Sequence, residues 1–169
     1  MMKSSAVQGV ARVLKVLVTV SFFCNLGALG LIPLLAEQKY GPLPGEVPTG
    51  GVADSRTWVL TAFLLFCGIC TAVVLWQGRR VLNTILRGEP FAAENAVSLK
   101  RAAVCAFLIA AAALARLAWG FWFYRSVRPL LTYNALFVPI FAMAGLLCLV
   151  MSALFRRAAE IKAENDLTI

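Results

Sequence analysis

The sequence predicts an all-α membrane protein whose four transmembrane helices form an antiparallel bundle, and three observations carry that prediction. Of the 169 residues, 61% are hydrophobic and only 14% are charged, whereas soluble domains are about half apolar and a quarter charged. The mean hydropathy is +0.83. Four continuously apolar runs come close to the roughly 20 residues that a helix needs to cross the hydrocarbon core. Strands of a membrane barrel would instead alternate in polarity over about 10 residues.

The predicted spans belong to one domain and cover residues 13–35, 58–76, 102–124 and 133–155. Proline and glycine recur through the first connection, 36–57, and they oppose a regular helix or strand because proline removes a donor and glycine costs entropy. We therefore expect an exposed outer loop there. The second outer connection is short.

The first span also resembles a signal peptide. Basic residues precede it, and Ala28-Leu29-Gly30 offers small residues for cleavage. Its apolar run nevertheless exceeds the 7 to 15 residues that are typical of a signal core. We predict that the span is retained as an anchor.

The distribution of basic residues predicts the orientation. Eleven of the sixteen Lys and Arg lie at the N-terminus, in the connection 77–101 or in the tail 156–169, and four lie on the opposite side. The positive-inside rule then places both termini and the connection 77–101 in the cytoplasm. The net charge of +8 suits an anionic inner leaflet. Direct binding of nucleic acid is not expected, because no basic helix stands clear of the membrane.

The connection 77–101 is predicted to be a helical hairpin. Apolar residues from Val81 to Leu86 continue the second span as an amphipathic helix. Gly88 supplies a left-handed residue that ends it, and a new helix can start from Pro90. Phe91 is then expected to pack into the groove between spans two and three or into lipid.

Two motifs resemble a known family. The first is Gly88-Glu89-Pro90-Phe91 followed by Glu94-Asn95, and the second is Phe155-Arg156-Arg157 followed by the segment 164–169, Glu-Asn-Asp-Leu-Thr-Ile. Together, in span order over the whole chain, they resemble the bacterial membrane family called domain of unknown function 2975. One departure is Ala92, where the family pattern suggests a capping Thr or a similar residue.

The resemblance implies a multi-pass protein of the bacterial cytoplasmic membrane without an established activity. Many members are encoded beside a small helix-turn-helix regulator of the Cro/C1 type. By analogy, the resemblance implies a membrane partner for a transcription factor.

The tripeptide Ala-Glu-Asn occurs twice, at 93–95 and 163–165, and both copies lie near clustered basic residues. We expect one charge-paired cytoplasmic cap that docks a soluble partner. The alternative is a chance match, since any membrane helix has charged ends. The residues of the docking hypothesis are Gly88, Pro90, Phe91, Glu94, Asn95, Glu164, Asn165 and Asp166.

Arg116 is the basic residue that falls inside a span, where a charge costs about 2.5 to 3.5 kcal/mol. Three interpretations are open: snorkelling to lipid phosphate, a structural contact with Asn25 inside the bundle, or an anion or ligand site. Trp119, three residues on, shares its face and offers a cation–π partner. A small transporter or ligand-binding bundle that uses Arg116 is therefore the main alternative function.

Cys67 and Cys70 form a Cys-x-x-Cys pair, which is typical of thiol oxidoreductases. Cys67 lies nine residues past Trp58, about 13 Å down the helix, where an apolar setting suppresses the reactive thiolate. Redox catalysis is thus the third alternative. The chain has no His, and we expect no metal, no cofactor and no enzymatic activity. Small residues at 110–113 predict close helix packing, and a homo-oligomer is compatible with the sequence.

Overall fold

Four long helices make up the part of the chain that the computed structural model describes, residues 2–40, 55–124 and 133–166. Their bounds are α1 Met2–Tyr40, α2 Ser55–Leu86, α3 Ala93–Tyr124 and α4 Tyr133–Asp166. Each contains a stretch long and apolar enough to cross a membrane. The prediction of an all-helical membrane protein with four spans is confirmed.

The helices extend beyond the predicted spans at one or both ends. α1 continues to Tyr40 and α2 begins at Ser55, so the ends of the predicted outer loop 36–57 are helical. Its middle, 41–54, lies outside the described residues, as does the second outer connection at 125–132.

The connection 77–101 is almost entirely helical. α2 runs unbroken to Leu86, which confirms the predicted amphipathic extension. α3 begins at Ala93, so the expected start at Pro90 was wrong. The physical reason is a further turn, because the Ala92 N–H donates to the Glu89 carbonyl at 3.3 Å and keeps Pro90 and Phe91 outside the helix.

The helices contact one another in a row. α1 packs on α2, α2 on α3 and α3 on α4; among the described residues no other pair of helices brings Cα atoms within 8 Å of each other. The predicted bundle is therefore open on the side where α1 and α4 would meet.

α3 is the most buried helix of this row. It contributes seven of the ten buried hydrophobic residues in the described part of the chain, six of them alanines. Ala103, Ala106, Ala110 and Ala113 recur at three- and four-residue spacing, and the first and last are fully buried. Small side chains let helix backbones approach closely and gain dispersion contacts. The predicted small-sided packing of this helix is confirmed, and it explains how α3 accommodates neighbours on two sides.

Close contacts fix the relative alignment of neighbouring helices. A Cβ added at Gly68 would lie 2.5 Å from the Leu29 side chain, and the rings of Phe22 and Trp76 are 5.8 Å apart. Between these two contacts the residue number rises along α1 and falls along α2. The same holds for α3 and α4, where Phe107 lies against Gly145 and the Ser152 hydroxyl donates to the Ala96 carbonyl at 2.7 Å.

Candidate functional site

The candidate site lies at the turn between α2 and α3, and its backbone geometry follows from one glycine. Gly88 has a φ of +84°, a left-handed value that glycine adopts without steric cost. The Glu89 N–H donates to the Thr84 carbonyl at 3.0 Å and the Gly88 N–H to the Ile85 carbonyl at 3.1 Å. These two bonds form a Schellman motif, which satisfies the last carbonyls of α2. The predicted left-handed role of Gly88 is confirmed.

Asn95 holds the other side of this turn. Its side chain is 1% exposed. The Asn95 Nδ2 donates to the Pro90 carbonyl at 2.9 Å, and its Oδ1 accepts from the Thr84 hydroxyl at 2.7 Å. That hydroxyl is also 2.7 Å from the Val81 carbonyl, so it shares its proton between two acceptors. Asn95 thus links the end of α2, the turn and the start of α3.

The role of Asn95 differs from the one expected from the sequence. A side chain that is buried and uses both polar groups inside the turn offers no surface to a soluble partner. Asn95 therefore positions its neighbours, and the docking hypothesis for it is corrected accordingly. Ala92 stands where the family pattern suggests a capping residue, so α3 starts without a side-chain N-cap. Asn95, in the first turn of α3, instead forms hydrogen bonds with the residues before the helix.

The turn is also tied to α4. The rings of Phe91 in the turn and Phe155 in α4 lie 6.1 Å apart. The Ser152–Ala96 hydrogen bond joins α4 to the start of α3 nearby. Phe91 remains 51% exposed. The ring therefore contacts α4 instead of filling the groove between spans two and three, and the alternative that Phe91 lies against lipid stays a prediction.

A cavity of about 180 Å³ opens between the end of α2 and the start of α3. Its lining is polar throughout, with residues from both helices. They are Arg80, Asn83, Thr84 and Arg87 from α2, and Glu94, Asn95 and Ser98 from α3. The cavity places two guanidinium groups and one carboxylate around one polar space, although no ion pair is formed by Glu94 within the described residues.

The structure brings together only one of the two predicted groups of docking residues. Gly88, Pro90 and Phe91 lie in the turn, and Glu94 and Asn95 lie in the first helical turn of α3. α4 continues for eleven residues beyond Phe155 to Asp166, roughly 16 Å along the helix. The second Ala-Glu-Asn segment therefore lies farther along α4 than the contact with the turn, and the single charge-paired cap stays a prediction.

The projecting end of α4 is polar and exposed. Arg156 pairs with Glu160 at 3.0 Å, one helical turn apart, with both side chains exposed. Glu164 and Asn165 are exposed as well, whereas the side chain of Asp166 lies outside the described residues. Ile161 is a large aliphatic residue within this end of α4, and it is 66% exposed.

Arg116 faces α2. Its guanidinium carbon lies 4.7 Å from the centre of the Phe63 ring, a distance that is typical of a cation–π contact. The predicted contact with Asn25 was wrong, because α1 does not reach α3 among the described residues and the buried Asn25 Oδ1 has no hydrogen-bond partner there. Trp119 is largely exposed. A ligand site at Arg116 stays a prediction.

Cys67 and Cys70 are free thiols within α2, and Cys24, Cys105 and Cys148 are free as well. In the described part of the chain, no group of three or more His, Cys, Asp or Glu is placed to hold a metal ion. The structure does not test the redox alternative.

Sequence reasoning missed several buried polar residues. Ser98 and Gln77 are both buried, and Thr84 and Ser152 make the hydrogen bonds described above. A signal was present for Ser98, because Asn95 and Ser98 share a helix face at three-residue spacing. The sequence signal for Gln77 was weaker, because Gln77 is simply a polar residue at the end of a hydrophobic span.

The comparisons with known proteins bear on the last three helices. The model of a family described as a protein of unknown function (DUF2975) matches residues 50–169. We expected the family resemblance to cover the whole chain. The match instead begins at residue 50, after the end of α1. No curated protein and no solved structure gave a significant match. The matched part carries the α2–α3 turn and the end of α4, and the chain belongs to the DUF2975 family.

Proposed function

We propose that this chain is a non-enzymatic protein of the bacterial cytoplasmic membrane whose projecting α4 end docks a soluble protein partner. In this proposal the four helices cross the membrane in alternating directions, with both termini and the α2–α3 turn on the cytoplasmic side. The excess of basic residues on that side supports the orientation. The residue alignment of neighbouring helices supports the alternating directions.

One observation carries the docking proposal. The end of α4 extends about 16 Å beyond the turn, and it presents Ile161 with two thirds of its surface exposed. Around it lie the charged residues Arg157, Glu160 and Glu164, all exposed. An aliphatic anchor surrounded by charge is the usual composition of an interface centre and its rim.

The favoured partner is a small helix-turn-helix regulator, by analogy with genes that adjoin those of other family members. The first test is therefore the neighbouring gene. An adjacent regulator of this type supports the proposal and supplies the probe. An adjacent transport or redox operon would instead favour the alternatives that use Arg116 or Cys67 and Cys70.

The second test measures binding of that purified regulator to the full chain in detergent micelles. Removal of residues 161–169 is expected to abolish binding, and Ile161→Ala to weaken it at least tenfold. Burial of a large aliphatic side chain contributes about 1.5 to 3 kcal/mol, and 1.4 kcal/mol corresponds to about a factor of ten. Gln8→Ala is the matched control, because Gln8 is exposed on the same proposed side but on α1.

Equal binding by the full chain and by the shortened chain would contradict docking at α4. Orientation is tested separately with reporter fusions after Ile169. A fluorescent protein that matures in the cytoplasm should be active there and a periplasmic phosphatase inactive. The opposite pattern would overturn the proposed topology.

A further inference from the structure

We propose that the cavity between the end of α2 and the start of α3 binds the headgroup of an aminophospholipid, which combines a phosphate with a primary ammonium. This inference does not depend on protein docking at α4. It rests on the charges, the buried polar groups, the size and the depth of the cavity.

The charges of the cavity match a headgroup of mixed sign. Arg80 and Arg87 contribute two guanidinium groups from α2, and Glu94 contributes one carboxylate from α3. Arginine binds phosphate through two parallel hydrogen bonds, and a carboxylate accepts hydrogen bonds from an ammonium. A simple anion would leave Glu94 as an unfavourable neighbour, whereas a phosphate that carries an ammonium uses all three groups.

Ser98 adds a hydroxyl to the polar lining of the cavity. The residue is 4% exposed and lines the cavity. A serine hydroxyl can donate a hydrogen bond to a phosphate oxygen. The first turn of α3 lies beside Ser98, and a helix N-terminus favours negative charge.

The size and depth of the cavity suit a lipid headgroup. Its volume of about 180 Å³ is several times the roughly 30 Å³ share of one water and smaller than the 300 Å³ or more of typical drug-sized pockets. The candidate membrane span Trp58–Leu86 has 29 residues, about 43 Å of helix. A bilayer with its headgroup regions is about 40 to 45 Å thick, so the end of α2 lies at headgroup level.

An apolar face leads from the cavity into the span. Val97, Val104 and Leu108 are exposed on α3, and their spacing of seven and four residues places them on one side of the helix. Glu94 lies at the cavity end of the same line. Acyl chains of a lipid held at the cavity can run along this face.

The test is native mass spectrometry of the full chain, purified in detergent and supplied with one defined lipid at a time. The lipids are phosphatidylethanolamine, phosphatidylcholine and phosphatidylglycerol with identical acyl chains. We expect one tightly retained phosphatidylethanolamine and at least tenfold weaker retention of the other two. Choline has no N–H to donate to Glu94, and glycerol has no cation.

Variants then assign the binding to the cavity. Arg80→Gln combined with Arg87→Gln should reduce retention of phosphatidylethanolamine at least tenfold. The control with the same net charge is Arg79→Gln combined with Arg101→Gln, since neither residue lines the cavity. Glu94→Gln should remove the preference for ethanolamine over choline while retention of the phosphate group persists. Ser98→Ala, a small change that preserves the helix, should weaken retention severalfold.

Equal retention by the two double variants would overturn the proposal, as would equal retention of the three lipids by the unaltered chain. A thermal shift with soluble phosphoethanolamine and with inorganic phosphate distinguishes the source of the ligand. Stabilisation by the soluble molecule without retention of the lipid would overturn the lipid assignment. Retention of the lipid that soluble phosphoethanolamine displaces would confirm it.

Discussion

The tripeptide Ala-Glu-Asn occurs at 93–95 and again at 163–165, and the two copies have opposite structural roles. The first starts α3, and its Asn95 is buried with both polar groups bonded. The second lies at the end of α4, where Asn165 is exposed. The difference teaches that the surroundings of a tripeptide decide its role, because the first copy folds back on a turn whereas the second lies near the end of a long helix.

The largest effect that tests this comparison is expected for Asn95→Ala. The change removes the donor to the Pro90 carbonyl, and a buried group left without a partner costs roughly 1 to 3 kcal/mol. The Thr84 hydroxyl keeps the Val81 carbonyl as its acceptor. The free energy of unfolding should therefore fall by about 1 to 3 kcal/mol. It can be measured by titration with a denaturing detergent in mixed micelles.

Asn165→Ala is the matched control, and it should change the free energy of unfolding by less than about 0.5 kcal/mol. Similar losses for both variants would show that the two copies are equivalent. The comparison would then fail.

The next largest effect is expected for Gly88→Ala. At a φ of +84° an L side chain costs roughly 1 to 2 kcal/mol, and the loss should appear in the same unfolding titration. Gly78→Ala provides the control, because Gly78 lies within α2 and an added Cβ meets nothing within 4 Å. The control variant should leave the free energy of unfolding unchanged or raise it by up to about 1 kcal/mol. If both variants lower it equally, the left-handed backbone at Gly88 is not the cause.

A smaller effect tests how the turn is coupled to α4. A double-mutant cycle of Phe91→Leu and Phe155→Leu should give a coupling energy of about 0.5 to 1.5 kcal/mol, since aromatic pairs contribute that much beyond their buried area. Phe91→Leu combined with Phe137→Leu serves as the reference, because Phe137 lies 18 residues before Phe155 on α4. That pair should be additive within about 0.5 kcal/mol. A coupling energy as small as that of the reference pair would show that Phe91 and Phe155 do not stabilise each other.

The smallest effect is expected at the projecting end of α4. Glu160→Gln removes the ion pair with Arg156, in which both side chains are exposed, and such pairs contribute about 0.3 to 0.5 kcal/mol. The unfolding titration should therefore shift by no more than that amount at low salt and by less at high salt. A loss above 1 kcal/mol would mean that this end of α4 packs against something in the folded protein.

Much of the site was predictable where a local rule applies. Gly88 and the amphipathic continuation of α2 followed from turn chemistry and periodicity, which act within a few residues. The position of Phe91 was not predictable, because the ring's partner Phe155 is 64 residues away and lies on the same side only once α3 and α4 pack. The place of Ser98 in the cavity lining was not predictable either, because the α2 residues of that lining face Ser98 only once the α2–α3 hairpin has formed.

The contact expected between Arg116 and Asn25 failed for a related reason. Equal depth in the membrane places two side chains at the same level, but it does not decide which helices are neighbours. The structure arranges the helices as a row in which α2 separates α1 from α3, so Phe63 lies beside Arg116 instead.

The sequence alone determined the number of spans, their approximate bounds and the place where the α2–α3 turn reverses the chain, because hydrophobic transfer and backbone sterics depend on residues close together in the chain. Only the tertiary structure decided that the helices form an open row, that Asn95 is internal and that α4 projects beyond the turn. Those outcomes depend on side-chain packing between helices, since within lipid the hydrophobic effect no longer selects one neighbour over another.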